Sequence, residues 1–237
     1  MANKSPLRAE ADQAQCPPNA HLPFKDQLVY ISVMSQQTAV PLPRGRPRSF
    51  DAQAAVERAM AVFWSRGYHA TALPDLLRAT RLSRGSLYAA FGDKHSLFLR
   101  ALDRYVAHAL TRMDIELDPR REPTKSLRAY LAGYVDRTSG ANGRRGCLLV
   151  ATAMELAAQD AEVGRRVASF FKAMEARVAD ALSRAKTAGK LADGVEPSSA
   201  ARILVCFVEG LRVVGKTAPT RITSQATVDA LLDRFIR

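Results

Sequence analysis

An all-α protein with two helical domains follows from three observations. From Asp51 onward, apolar residues recur at three- and four-residue spacing, and no stretch keeps the strict alternation of a half-buried strand. Turn-forming stretches cut the helical runs: GANGRRG at 140–146, GKLADGVEP at 189–197 and KTAPTR at 216–221. Two helices of about seven residues, joined by a tight turn, sit between longer ones, which is the layout of a helix-turn-helix. About nine helices are expected. They fall into a nucleic-acid-binding domain over 44–110, with its recognition motif at 71–91, and a second helical domain over 111–237.

Ahead of the helices, residues 1–43 hold six of the twelve prolines and no sustained periodicity, so they are read as a disordered extension. LVYISV (28–33) is strand-like but has no partner strand nearby and is read as coil. Met34 opens MSQQTAVPLPRGRPR, which resembles a short natural N-terminus, and translation is expected to start there. The intact mass of the native protein tests this.

The first helix, DAQAAVERAMAVFWSR, places Ala55, Val56, Ala59, Met60 and Phe63 on one face, and Gly67 ends it. In ATALPDLLRATR, Thr71 is read as an N-cap, with Leu73, Leu76 and Leu77 inward. After a break at Arg81-Leu82, Ser83 caps a helix running to Phe91, and Gly92-Asp93 stops it. Asp93 then caps a long helix whose apolar positions are Leu97, Leu102, Tyr105 and Val106. Beyond the break DPRREPT, helices are expected over about 125–138, 148–158, 161–188, 198–216 and 224–236.

Composition narrows the class. Apolar residues make up 47% and charged residues 24% of 237, enough to bury a core without disulfides or metal. Three scattered cysteines suit a reducing cytosol, so a cytoplasmic protein is expected. There is no signal-peptide pattern and no run of about 18 apolar residues, so no membrane partner is expected. The net charge of +12 favours a polyanion. It is densest around the motif: residues 44–113 hold twelve Lys/Arg against five Asp/Glu, whereas the much longer 114–237 holds twenty against fifteen.

The stretch SRGSLYAAFGDK (83–94) reads as a helix built to push its first turn into a major groove. Gly85 lets backbone approach DNA without a Cβ in the way. Ser83 and Ser86 can donate to phosphate, and Arg84 can reach a phosphate or the O6/N7 edge of guanine. Tyr88 lies one turn on, and Ala89 and Ala90 are small enough to let the helix sit deep. Leu87 and Phe91 face the core, and Lys94 is placed to pair with a phosphate. Upstream, RGRPR (44–48), with Arg46 at its centre, fits a minor-groove arm. It also fits a solvated basic tail.

FWSRGYHATAL followed by PDLLRATRLSRGSLYAAFGDKHSLFLRALDRY resembles the DNA-binding domain of the tetracycline-repressor (TetR) family of bacterial transcription regulators, over roughly residues 48–108. The resemblance implies a two-domain, all-helical homodimer that binds palindromic double-stranded DNA. A small-molecule effector in the C-terminal domain would release it, and most members repress. Carried onto this chain, Tyr68, Thr71 and Lys94 match phosphate-contacting positions, and Arg84, Gly85, Tyr88 and Ala89 match groove-facing ones. Members often carry larger polar residues where this chain has Ala89-Ala90, which shifts specificity towards Arg84, Tyr88 and DNA shape.

The C-terminal half is less explicit. Ile203, Phe207, Leu211, Val228, Leu231, Leu232 and Phe235 are dimer-interface candidates, with intramolecular core as the other reading. Tyr130, Tyr134, Met154, Phe170, Phe171 and Met174 are either effector contacts or core. Cys147 follows Arg144 and Arg145 at a helix start, a setting expected to lower a thiol pKa and to suit an electrophile or oxidant sensor. Some members that resemble this chain carry a similar Gly-Cys-Leu turn. The other reading of Cys147 is a small buried hydrophobe. Cys206 is read as packing. Glu155 and Glu209 are read as isolated surface or pocket-rim carboxylates.

No catalytic residue, metal site or cofactor is expected. The four histidines (21, 69, 95, 108) have no metal-ligand spacing, and there is no phosphate loop or G-x-S-x-G. A helical enzyme would leave SRGSLYAAF without a purpose. A nonspecific architectural DNA protein is allowed by the charge, and it predicts equal affinity for all sequences.

Overall fold

The computed structural model describes residues 50–217 and 221–237, apart from the side chains of 221–224. The proposed N-terminal extension, LVYISV, Met34 and the arm with Arg46 lie outside the described residues. The order is α1 (Ala52–Arg66), α2 (Leu73–Thr80), α3 (Arg84–Phe91), α4 (Lys94–Glu116), α5 (Pro123–Thr138), α6 (Gly140–Arg145), α7 (Leu148–Leu156), α8 (Ala161–Thr187), α9 (Pro197–Val214), a 3-10 turn at Gly215–Thr217 and α10 (Arg221–Leu232). The protein is all-α: among the described residues the only β pairing is an isolated bridge, Leu191 to Ile236.

Local chemistry accounts for most boundaries. Asp51, Ser83, Asp93 and Asp160 cap α1, α3, α4 and α8 by accepting hydrogen bonds from backbone N–H groups of the first turn. Glu122 and Glu196 do the same for α5 and α9, each with proline at the first helical position. Two expectations fail here. Thr71 is not a cap: α2 starts one residue later, and the buried Thr71 hydroxyl donates to the Gly67 carbonyl at 2.6 Å. The separator GANGRRG is itself largely helix α6, entered and left through Gly140 and Gly146 at positive φ.

Two parts of the core meet along α4. Phe63, Leu76, Leu87, Phe91, Leu97 and Phe98 knit α1–α3 onto the first half of α4. The second half of α4 packs on α5 and α8, where Leu127, Leu131, Phe170, Met174, Leu204 and Val208 form the larger core. Arg166–Asp103 (2.9 Å) and Arg177–Asp114 (2.7 Å) lace α8 to α4, and Arg137–Glu116 (2.5 Å) ties α5 to it. No described helix is long and apolar enough to cross a membrane.

Candidate nucleic-acid interface and buried cavity

The turn between α2 and α3 is made by Arg81 in the left-handed conformation (φ 59°). It aims α3 outward. Leu87, Ala90 and Phe91 are buried, so Ala90 belongs to the core side rather than the groove side. The opposite face presents Ser83, Arg84, Gly85, Ser86, Tyr88 and Ala89, all exposed, with Tyr88 at 42%. Ser83 Oγ accepts from the Ser86 N–H at 3.1 Å, and its carbonyl accepts from Leu87 N–H. The N–H groups of Arg84 and Gly85 remain available at a helix N-terminus, which favours a phosphate oxygen. A Cβ on Gly85 would meet nothing within 4 Å, so the backbone there is open to close approach.

Beside this face, Lys94 Nζ lies 4.4 Å over the Tyr68 ring, which also packs on Phe98. Burial, then the nearby charges of Asp93 and Asp160, push the Tyr68 hydroxyl pKa up, so it remains a neutral donor. Thr71 is the exception among the matched phosphate positions, because its hydroxyl is turned inward and already engaged.

Three contacts that sequence reasoning missed fasten the motif to the C-terminal half. Glu155 on α7 accepts from the backbone N–H groups of Tyr68 (2.9 Å) and His69 (2.7 Å). His95 Nε2 lies 2.6 Å from Asp160, the cap of α8. Trp64, the single tryptophan, donates from Nε1 to the Gly146 carbonyl at 3.2 Å and packs edge-on against Tyr105. The signal for Glu155 was there: a lone carboxylate in the apolar stretch LLVATAMELAA.

Behind Trp64 lies a small cavity lined by Tyr105, Tyr134, Cys147, Phe170, Glu209 and Arg212, with Arg112 and Arg137 on its walls. Glu209 is no surface carboxylate: it is enclosed, and burial raises its pKa. Cys147 is buried, and its thiol is pushed up by burial and then by Glu209, the opposite of the expected direction. The reason is geometric. Arg145 is drawn away to stack on Trp64 (3.7 Å) and Arg144 is exposed, so neither cation offsets burial, and the hydrogen bond that the Tyr105 hydroxyl donates to Cys147 Sγ at 3.3 Å, which favours the thiolate, does not outweigh it.

The other C-terminal candidates divide. Tyr134 and Phe170 reach the cavity, Tyr130 and Met174 are core, and Phe171 is partly buried against it. Met154 is 85% exposed and does not line the cavity, since α7 turns it to solvent. On α9, Ile203 is exposed, while Phe207 and Leu211 are half-buried. On α10, Val228 and Leu232 are buried in the protomer core, where α10 packs on α5, so they cannot face a second copy. Leu231 and Phe235 are half-buried against that core. Cys206 is exposed, so it does not pack inside the protomer. Among the described residues no group of three or more His, Cys, Asp or Glu could hold a metal ion.

Two short helices with an exposed, unpaired first turn, braced between longer helices, define a helix-turn-helix DNA-binding protein. Comparison with known proteins narrows the class. The pattern described as "Bacterial regulatory proteins, tetR family" matches residues 55–101, and "Tetracyclin repressor-like, C-terminal domain" matches 123–230. The chain is 28% identical over 171 residues to the HTH-type transcriptional repressor ComR of Escherichia coli K12, covering 72% of this chain and 81% of that protein. It is 34% identical over 119 residues to the repressor BdcR of the same organism, covering 50% and 58%. Among solved structures, it is 31% identical to a cysteine mutant of the TetR-family regulator CifR complexed with 26-bp operator DNA. That match has a TM-score of 0.71 and covers 81% of this chain and all of that one. The chain belongs to the TetR family and is a DNA-binding transcriptional regulator.

Proposed function

We propose that the protein is a cytoplasmic repressor, not an enzyme. It binds a palindromic operator as a homodimer and leaves it when a small effector enters the C-terminal half. The observation that carries this is the first turn of α3: Arg84 is exposed and has no ion pair or hydrogen bond with any described residue, on a helix whose other face is locked by Leu87 and Phe91. Arg84, Gly85, Ser86, Tyr88 and Ala89 are assigned to the groove, and Ser83, Tyr68 and Lys94 to phosphates. Complexes of CifR with operator DNA and the repressor ComR support the assignment by likeness. The division between the domains falls within α4, near residue 110.

An effector acts by preferring a state whose half-site spacing no longer fits the duplex. The contacts of Trp64 with Gly146 and Tyr105, of Glu155 with the Tyr68–His69 backbone, and of His95 with Asp160 are the physical links available between cavity and motif. The test is a binding assay on the DNA upstream of the protein's own gene beside random DNA at matched salt, followed by footprinting. Selective binding with a two-fold-symmetric footprint is expected. Equal affinity for both DNAs would instead mark a nonspecific architectural protein.

A further inference from the structure

Arg212 has the least satisfied charge in the described chain's interior. Only 8% of it is exposed, yet it makes no ion pair and no hydrogen bond with any described residue. Its guanidinium lies 4.8 Å over the Tyr134 ring, and its Nε is enclosed without an acceptor. A guanidinium carries five donors and no acceptor, and it cannot shed its charge by deprotonation. Burying it without a partner is costly, so such a group is either a site or an internal pair.

The internal partner would be Glu209, one turn earlier on α9. The two charges attract across the cavity, but no hydrogen bond joins them: Glu209 Oε1 accepts from Tyr134 at 3.2 Å, and Oε2 is enclosed with no donor. It does not reach Arg212 within salt-bridge distance. On the wall, Arg137 is held by Glu116 through its terminal nitrogens, yet its Nε is idle too. The cavity thus offers cationic donors with no hydrogen-bond acceptor, beside one carboxylate whose pKa burial raises.

Resting on the effector reading above, we infer that this cavity takes a small organic anion whose carboxylate head is gripped by Arg212, with Phe170 and Met113 against a short hydrocarbon tail. A planar carboxylate matches the guanidinium fork. Size sets the class. The cavity has a volume of about 20 Å³. That holds a water or two as it stands, and a ligand of only a few carbons with small adjustments. A neutral ligand can offer Arg212 an acceptor oxygen but not the compensating charge, and a cationic one adds a second positive charge. The ligand also sits against Tyr105, whose ring meets Trp64 edge-on at 4.9 Å, so occupancy is felt directly by α1.

The single tryptophan makes the test direct. Acetate, propionate and butyrate are titrated into the full chain while Trp64 fluorescence and melting temperature are followed, with propionamide and chloride at matched ionic strength as controls. At least one carboxylate is expected to give a saturable fluorescence change and a raised Tm, and propionamide none. Arg212→Gln is expected to weaken that binding by about tenfold or more. No saturable response to any of the three acids, an equal response to propionamide, or full affinity in Arg212→Gln would overturn the inference and make Arg212 and Glu209 a water-bridged internal pair. The acid-versus-amide comparison needs only the wild-type chain, so it stands even if the variant does not fold. Operator binding is measured in parallel. Carboxylate binding that leaves the operator complex intact would keep the site and sink the effector reading instead.

Discussion

At the scale of single residues, the α3 surface separates contacts that read sequence from contacts that only hold DNA. Arg84 and Tyr88 stand on the exposed face, and in the proposed assignment the guanidinium is directed to guanine O6/N7 and the tyrosine to backbone or a thymine methyl. Arg84→Ala and Tyr88→Ala should each cost specific binding about 1–3 kcal/mol and relax discrimination between operator and random DNA. Lys94→Ala should weaken all sequences alike and flatten the dependence of affinity on salt by about one phosphate contact. Salt-dependent titrations of the three variants check this, and unchanged operator affinity in the first two would misplace the recognition helix. The roles of Ser83, Leu87 and Phe91 were legible because a cap and an i, i+4 pair are local. Those of Thr71, Cys147, Cys206 and Met154 were not, because burial and partners in the folded chain decide each, not the local pattern. The Gly67 carbonyl claims Thr71, and Trp64 draws Arg145 from Cys147.

At the scale of elements, the junction between α1 and α2 is built jointly with α7. Gly67 has φ +82°, and a Cβ there would lie 2.8 Å from Glu155 Oε2. The glycine is required twice: by its backbone angle, and by the carboxylate that reaches past it to the Tyr68 and His69 N–H groups. Gly67→Ala should therefore cost on the order of 1–3 kcal/mol. Glu155→Ala, which strands two donors that water partly reaches, should cost about 1–3 kcal/mol. Denaturant midpoints measure both. Because the clamp serves the same loop, the double variant should lose less than the sum, and strict additivity would show that the two act separately. From sequence, Gly67 was legible as a helix stop. Its second role was hidden, since its partner lies 88 positions away. Helix α6 was hidden for a related reason: glycine-rich sequence disfavours helix intrinsically, and packing around the buried Gly143 overrides that preference.

For the whole molecule, charge and assembly decide behaviour. Backbone N–H groups at their helix starts hold Asp93 and Asp160 below their ordinary pKa values, the Thr124 and Ser198 hydroxyls followed by backbone N–H groups do the same for Glu122 and Glu196, and the Arg120 side chain and N–H hold Asp118 at about 2. The folded chain thus binds fewer protons than the unfolded one below about pH 4. Their stabilisation is present above that range and is lost as pH falls towards 2, while the already positive chain gains charge. Glu209 runs the other way: its raised folded pKa gives stability that is fullest below its ordinary 4.5 and declines as pH rises through the folded value. Denaturation from pH 2 to 8 should show both limbs, and Glu209→Gln should flatten only the upper one. Fold class and the DNA-facing helix were legible at this scale because hydrophobic period and charge density are written along the chain. The interface was legible only in part, since Val228 and Leu232 are apolar for the protomer's own core.

Among the described residues, α9 offers a second copy one exposed stripe. Ile203, Cys206, Gly210, Val213 and Val214 follow three- and four-residue spacing and are all exposed, with Ile203 at 50%. Apolar side chains beside two small residues suit close helix packing, and a two-fold axis there would meet the stripe with itself. One protomer presents one recognition helix, so symmetric operator binding needs a contact between two copies, which we place on this stripe. Ile203→Asp with Val213→Asp places carboxylates on an exposed face and leaves the core untouched. The double variant should sediment as a folded monomer with unchanged helicity, and operator affinity should fall towards its affinity for random DNA. A variant that stays dimeric in sedimentation would move the interface off α9. A monomer that still holds the operator tightly would break the link between dimer and palindrome.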